Sequence, residues 1–396
     1  MLCRRQFLIR GLSAGLILPL AAGFSARAAA EGRVLVVVQL TGGNDSLNCV
    51  LPLDQERWYR ERPTLSGVAA KSHRLADGLG LHPALSGLAE RFRRGQVALL
   101  HGVGYPGPDR SHFRSLDIWH TGRVPGDPRG PREAQERQGW LGRAAARLTP
   151  AADPAALFVG AGQPPLAFFE GGRAPAAVAG QESLEQPGAL PEALLAALEQ
   201  PSGSGAQALL ADASRAARQL GRLLEQAARL EPRAPWPRSG LADRLALVAR
   251  SIRLGLPPRI YGVELDGFDT HLSQARPHER LLTELDGALA AFLSELESSG
   301  DLDRVALLVW SEFGRRVHEN GSGGTDHGAA AAVWLLGGTV SGGEHGQRPD
   351  LAQLEDGDVP HTTDLRTLYA SLEHDWLRLT PENHKSPLTT PLTLFR

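Results

Sequence analysis

Arg33-Val34-Leu35-Val36-Val37-Val38-Gln39-Leu40, running into Thr41-Gly42-Gly43-Asn44-Asp45, is the stretch on which the fold turns. Six of its first eight side chains are apolar, and they could not all face one core if the strand were open to water on one side. A β-branched run without alternation is the pattern of a strand buried on both faces, which is characteristic of parallel sheets. The glycines, asparagine and aspartate that follow make a polar loop at the strand's carboxyl end. In open α/β sheets that end is where ligands bind.

The same grammar recurs downstream. Val97-Ala98-Leu99-Leu100-His101 reads as a second strand after a helix over about 82–93. Leu241 to Leu254 has helical spacing and is stopped by Gly255 and Pro257. Ile260 to Leu265 is a strand that runs into Asp266-Gly267-Phe268-Asp269-Thr270-His271. An amphipathic helix follows, with Leu281, Leu285, Leu289, Phe292 and Leu296 on one face. Val305 to Trp310 is a strand ending at Ser311-Glu312-Phe313-Gly314-Arg315, and Ala329 to Leu336 is a strand entered from Gly324-Thr325-Asp326-His327-Gly328. Strand and helix alternate, so the reading is α/β. Residues 122–138 are rich in Pro, Gly and charge and read as an exposed loop. Residues 150–240, Ala-rich helix with Pro/Gly breaks, read as a variable helical insertion in a single domain over 31–396.

Composition narrows the function. Among 396 residues, Lys plus Arg number 42 against 44 Asp plus Glu, with no basic excess of the kind a general nucleic-acid binder carries. Cys3 and Cys49 are the only cysteines, which excludes a disulfide scaffold and a thiolate-rich metal site. Residues 1–30 have the form of a signal peptide: Arg4-Arg5 followed by Phe7-Leu8, an apolar run from Leu12 to Phe24, then Ala26-Arg27-Ala28-Ala29-Ala30. The adjacent arginines match a twin-arginine signal, so the twin-arginine export machinery is the expected partner and the location periplasmic or extracellular. The apolar run is too short for a comfortable span of about 20 residues, and no stable membrane span is expected in the mature chain. Loss of Arg4, Arg5, Arg10 and Arg27 takes the net charge from −2 to −6.

The polar clusters at strand ends carry the chemistry. Asn44-Asp45, Asp269 with His271, Glu312, and Asp326-His327 combine carboxylate with imidazole and no thiolate, a donor set for divalent metal. One such cluster in a Gly loop would be turn chemistry; four at the ends of strands in one sheet point to a metal or acid–base site. Ser111, between Arg110 and His112, opens a helix expected over 111–121; it reads either as a cap or as a nucleophile beside a helix N-terminus, with Arg110 offering a contact to an anion. Ser46 is the second candidate and activated water a third. Arg315 reads as a ligand for an anionic oxygen or as the ion-pair partner of Glu312. Asp364 reads as a cap for a helix over 365–377. His278, His318, His345 and His384 have no spacing that implies more than a surface role.

Thr41-Gly42-Gly43-Asn44-Asp45-Ser46-Leu47-Asn48, Arg110-Ser111-His112-Phe113, Trp140-Leu141-Gly142-Arg143, Gly267-Phe268-Asp269-Thr270-His271, Ser311-Glu312-Phe313-Gly314-Arg315 and Gly324-Thr325-Asp326-His327-Gly328 together resemble the bacterial domain-of-unknown-function 1501 family. The resemblance covers nearly the whole mature chain and is weakest over 150–235. It implies an alkaline-phosphatase-like or sulfatase-like fold, a three-layer αβα with a central, mostly parallel mixed sheet. It implies a metal set of Asp45, Asp269, His271, Glu312, Asp326 and His327 binding zinc, manganese, magnesium or calcium. Glu312-Phe313 stands where many relatives have an Asp-His pair. The function so implied is an exported metal-dependent hydrolase of small phosphate or sulfate esters; the alternative is a non-catalytic exported binding or assembly protein on the same fold.

Overall fold

The computed structural model describes residues 32–124, 138–148, 156–170, 175–180, 218–380 and 392–396. The expected signal peptide, nearly all of the 122–138 loop and His384 lie outside them. The strands in chain order are β1 (Val34–Thr41), β2 (Val50–Pro52), β3 (His73–Ala76), β4 (Leu79–Leu81), β5 (Val97–Gly104), β6 (Ala156–Val159), β7 (Ala176–Val178), β8 (Ile260–Asp266), β9 (Val305–Ser311), β10 (Arg315–Glu319), β11 (Thr325–His327), β12 (Ala331–Leu336), β13 (Gly343–His345) and β14 (Thr363–Asp364).

Nine of these form one sheet in the order β13-β5-β12-β9-β1-β8-β6-β7, with β14 also on β5. β1 is central and parallel to both neighbours: Leu35 pairs with Ile260 of β8, and Val34 with Val305 of β9. Among the described strands of this sheet only β12 runs antiparallel, to β5 and to β9. The fold is therefore α/β with a mostly parallel mixed sheet. Because β12 is reversed, its entry rather than its exit lies at the carboxyl end of the other strands. That reversal is what brings residues 325–328 to the same edge as the exits of β1, β8 and β9.

β1 is buried on both faces for the reason its sequence gave. Val34, Val36, Val38 and Leu40 pack with the helices Gly240–Arg253 and Ala275–Ser299, and with the helix Ser86–Arg93. Leu35 and Val37 face the other layer, with the helices His112–Thr121, Trp140–Leu148 and Leu365–Ser371. The last of these was expected to run to 377; it continues instead as a π-helical turn, Leu372–Trp376. Asp364 caps it, its side chain accepting from Arg366 N.

Within the 150–240 span, two segments add to the sheet: β6 pairs with β8, and β7 with β6, both parallel. Residues 218–228 are helical. The remainder of the span from 181 to 217 lies outside the described residues. No helix among the described residues is long and apolar enough to cross a membrane.

Candidate metal centre

Four segments converge where β1, β8 and β9 end and β12 begins. The β1 loop turns at Gly42 and Gly43, with φ of 114° and 73°. Neither position accepts a side chain. A Cβ on Gly42 would lie 2.4 Å from Asp269 N, and one on Gly43 would lie 2.2 Å from the Phe313 ring. Glycine is required because two loops and an aromatic ring meet there.

Asp269 stands at the middle. His271 Nε2 lies 2.9 Å from Asp269 Oδ1 and His327 Nε2 lies 3.0 Å from it. The two imidazole nitrogens are themselves 2.9 Å apart. His112 Nε2 lies 3.5 Å from Asp269 Oδ2, is buried, and has no hydrogen-bond partner. Ligand atoms of His112, Asp269 and His327 all fall within 4.8 Å of one another. Phe313, 2% exposed, underlies the rings of His112 and His327 with centroids 4.9 and 4.7 Å away.

The far nitrogens of the three histidines fix their tautomers. His327 Nδ1 is 2.8 Å from the Arg110 carbonyl, which can only accept, so Nδ1 carries the proton. His112 Nδ1 donates to Glu312 Oε1 at 2.8 Å, and His271 Nδ1 to Asp326 Oδ1 at 3.3 Å. With these Nδ1 atoms protonated and the rings neutral, each histidine turns an unprotonated Nε2 toward Asp269, where a cation can take it. Histidine ligands to metals are characteristically held this way, with the second N–H on a carboxylate or carbonyl.

The surrounding charges are tuned to match. Glu312 is fully buried, which pushes its carboxyl up, yet hydrogen bonds from His112, Gly42 N and Ser311 outweigh burial and hold it below the usual range. The Glu312 bond in turn raises His112, over the opposing effect of burial. Burial also pushes Asp269 up, but the adjoining His327 imidazole and Arg315 guanidinium outweigh it and bring it down to about 2. Asp326, steadied by Asn320 Nδ2 at 3.1 Å, is held low by that bond and by His271.

Several expected residues are placed differently. Asp45 is not at the centre: its carboxylate is fully buried against Arg62 Nη1 at 2.6 Å and accepts from Gln274. Glu312 and Asp326 stand behind the histidines rather than beside Asp269. Arg315 does not pair with Glu312. It donates to Asp269 Oδ1 at 2.8 Å and to the carbonyls of Gly42, Gly43, Phe268 and Thr325, so its donors are spent on stitching the loops together. The Arg110 guanidinium is held by Asp358, at 2.9 and 2.5 Å, and only its carbonyl reaches the centre. Ser111 precedes the helix His112–Thr121, is exposed, and its hydroxyl makes no cap bond. Ser46 Oγ accepts from Ala332 N, away from the histidines.

Two residues were not anticipated in their roles. His112 was quoted only as a flank of Ser111, although it opens a helix at the sheet's ligand-bearing edge. His278 was read as a surface residue and is instead fully buried. Nε2 donates to Asn44 Oδ1 at 2.9 Å, and Nδ1 accepts from Asn48 at 3.2 Å. It lies one turn before Leu282 on the buried face of its helix, so the apolar stripe was the available signal.

Solved structures similar to this chain include a protein in the alkaline phosphatase superfamily from Vibrio parahaemolyticus, at TM-score 0.41 and 11% identity, over 99% of this chain and 80% of that one. Another is the C-terminal periplasmic domain of EptC from Escherichia coli in complex with Zn, at TM-score 0.46 and 10% identity, over 92% and 88%. A third is the PsFucS1 sulfatase from Pseudoalteromonas sp., at TM-score 0.38 and 12% identity, over 94% and 74%. No curated protein matches the sequence. Residues 33–389 match the family described as "Protein of unknown function (DUF1501)", and the chain belongs to that family.

Proposed function

We propose that this chain is an exported, metal-dependent hydrolase of phosphate or sulfate esters, with His112, Asp269, His271 and His327 as the metal-holding residues. One observation carries the reading. Two imidazole Nε2 atoms lie 2.9 Å apart, each about as far from a carboxylate oxygen, and with both Nδ1 atoms protonated these are lone pairs. Lone pairs so arranged repel unless a cation lies among them. Donors at about 2.0–2.1 Å from a tetrahedral ion stand about 3.3 Å from one another, close to the separations here. The orphaned His112 Nε2 completes the fit. Three imidazoles and one carboxylate favour zinc or manganese over magnesium and calcium, which prefer all-oxygen sets.

A divalent ion in such a place supplies Lewis-acid polarisation of an ester oxygen. The protein's own residues do the rest. Glu312 and the Arg110 carbonyl hold His112 and His327 in the ligating tautomer. Arg315 fixes Asp269 and offsets its charge, so an ion held there keeps much of its attraction for an anionic ester, while the charges of Glu312 and Asp326 lie behind the histidines. Arg110 and Arg315 enter as positioning residues. Ser111, beside His112 and open to solvent, is the proposed oxygen nucleophile, with water as the alternative. Ser46 is set aside because it lies away from the centre.

The second reading, a non-catalytic exported binding or assembly protein, is favoured by the donors of Arg315 being fully engaged within the protein. Metal analysis of the purified chain, followed by aryl phosphate, sulfate and phosphonate ester assays, separates the two. The hydrolase reading expects about one ion per chain and turnover that Ser111→Ala cuts at least about a hundredfold. Retained metal with no turnover of any ester selects the second reading, and absence of metal sinks the centre.

A further inference from the structure

Four large apolar side chains are exposed among the described residues, and two stand far above the others. Phe113 is 87% and Leu272 68% exposed, against 39% for Tyr59 and 36% for Leu254. Single exposed apolar residues are commonplace on protein surfaces. These two share a position. Phe113 directly follows His112 and Leu272 directly follows His271, so each Cα stands about 3.8 Å from that of a proposed metal-holding residue. The rings of His112 and His271 both adjoin His327, with centroids 4.3 and 4.7 Å away. Both apolar residues therefore stand at the rim of one centre.

The backbone keeps them there. Phe113 is the second residue of the helix His112–Thr121. Cα–Cβ bonds tilt toward a helix N-terminus, so the Phe113 side chain leans to the end where the Arg110 carbonyl meets His327. Its face of the helix continues in the exposed Asp117, not in Ile118 and Trp119, which pack in the core. Leu272 is pinned from both sides. The His271 carbonyl accepts from Asn320 Nδ2 at 3.1 Å, and Ser273 N and Gln274 N donate to the carbonyls of Ser322 and Gly323 at 3.0 and 2.8 Å. Ser273 has a φ of 47°, a left-handed conformation that serine adopts at a cost. The fold thus holds a leucine in water beside the centre, at a position where a polar side chain would be less costly.

The centre is open, with the Asp269 side chain 49% exposed. A site without enclosing walls sorts its ligands by what lies at the rim. Two side chains are too few for a subunit interface, which covers about 800 Å² on each partner. They match one ring or short chain.

Resting on the hydrolase reading above, we infer that Phe113 and Leu272 are specificity-determining residues that select an amphiphilic monoester. Its anionic group is directed to the metal-holding residues, and its short alkyl or aryl group lies against the two side chains. Each methylene removed from water there is worth up to about fourfold in affinity.

The test uses ethyl and hexyl phosphate, and the matching sulfates, titrated by calorimetry into the zinc-loaded full chain. The longer chain, partly covered, should bind at least about tenfold more tightly. Phe113→Ser and Leu272→Ser, both at exposed positions, should each cut the hexyl-to-ethyl ratio at least about threefold. The double variant should bring the ratio near one, and melting temperatures should not change. Leu254→Ser, just past the helix Gly240–Arg253 and ahead of β8, should leave the ratio as it is. A zinc-loaded chain that binds the hexyl ester no better than the ethyl ester in both series overturns this inference alone. So does a ratio that survives in the double variant, or one that Leu254→Ser lowers equally. A chain that takes up no zinc overturns the hydrolase reading and this inference with it.

Discussion

Arg62 donates from Nη1 to Asp45 Oδ2 at 2.6 Å, and neither side chain is reached by solvent. The guanidinium also donates to the carbonyls of Val317 and Arg316, so one side chain ties the β1 loop to β10. This pair explains why Asp45, although at the right strand end, is not beside Asp269. Its charge is satisfied from within the protein.

Arg62→Met should therefore destabilise by about 3–5 kcal/mol, because it strands a buried carboxylate. Adding Asp45→Asn should recover part of the loss. Burial raises the Asp45 carboxyl, but Arg62 and then His278 and Gln274 bring it below its ordinary value. The stabilisation is thus present above the unfolded carboxyl range and lost as pH falls through the lowered folded value. Urea unfolding of the single and double variants at pH 7 checks the energies. A single variant as stable as the parent would contradict the pairing.

Acid should destabilise the protein earlier, through His278. Burial pushes this imidazole down to about 4. A histidine lowered on folding favours the unfolded state when protonated. Stability is complete above the unfolded value of about 6.5 and declines as pH falls toward 4, by about 3 kcal/mol in all. His278→Gln should flatten that part of the profile. His120, lowered to about 4 by burial, adds a slope of the same sign. Denaturant midpoints between pH 7.5 and 4.5 measure both.

Glu312→Gln removes the charge behind His112 while keeping its shape. Metal affinity should fall about 10–100-fold with little change in fold, as for other partners of ligating histidines. Competition against a chromophoric chelator reads the affinity directly, and an unchanged value would separate Glu312 from the centre.

On the proposed reading, Asp269→Asn and His327→Ala should each remove metal binding and ester turnover together. If metal is retained in both, the ion sits elsewhere. Gly42→Ala should weaken metal binding without altering any ligand side chain, because the new methyl collides with the backbone at Asp269.

How much of this was legible depended on range. The β1 run, the strands at 260 and 305 and their polar exits are local patterns, and the sequence shows them directly. Asp269, His271 and His327 could be singled out because each lies in a Gly-bearing loop at a strand end. Asp45 could not be separated from them, since its partner Arg62 lies just past the short helix Glu56–Glu61 and nothing periodic connects the two. The reversal of β12 was equally invisible: an apolar run has no direction. The strands β6 and β7 were hidden by their shortness within Ala-rich, Pro-broken sequence. His112 was masked by the serine before it, whose several possible roles drew the reading away from the imidazole.

The place of β1 has a consequence for synthesis. It emerges first, yet its partners are residues 260–266 and 305–311. At about 5–20 residues per second, roughly 15–50 seconds pass before the ribosome has delivered both. For that interval a run of valine and leucine with strong sheet propensity has no native neighbour, the kind of segment that pairs with other nascent chains. Translation speed and chaperone supply, rather than equilibrium stability, should therefore govern how much of this protein a cell accumulates in native form.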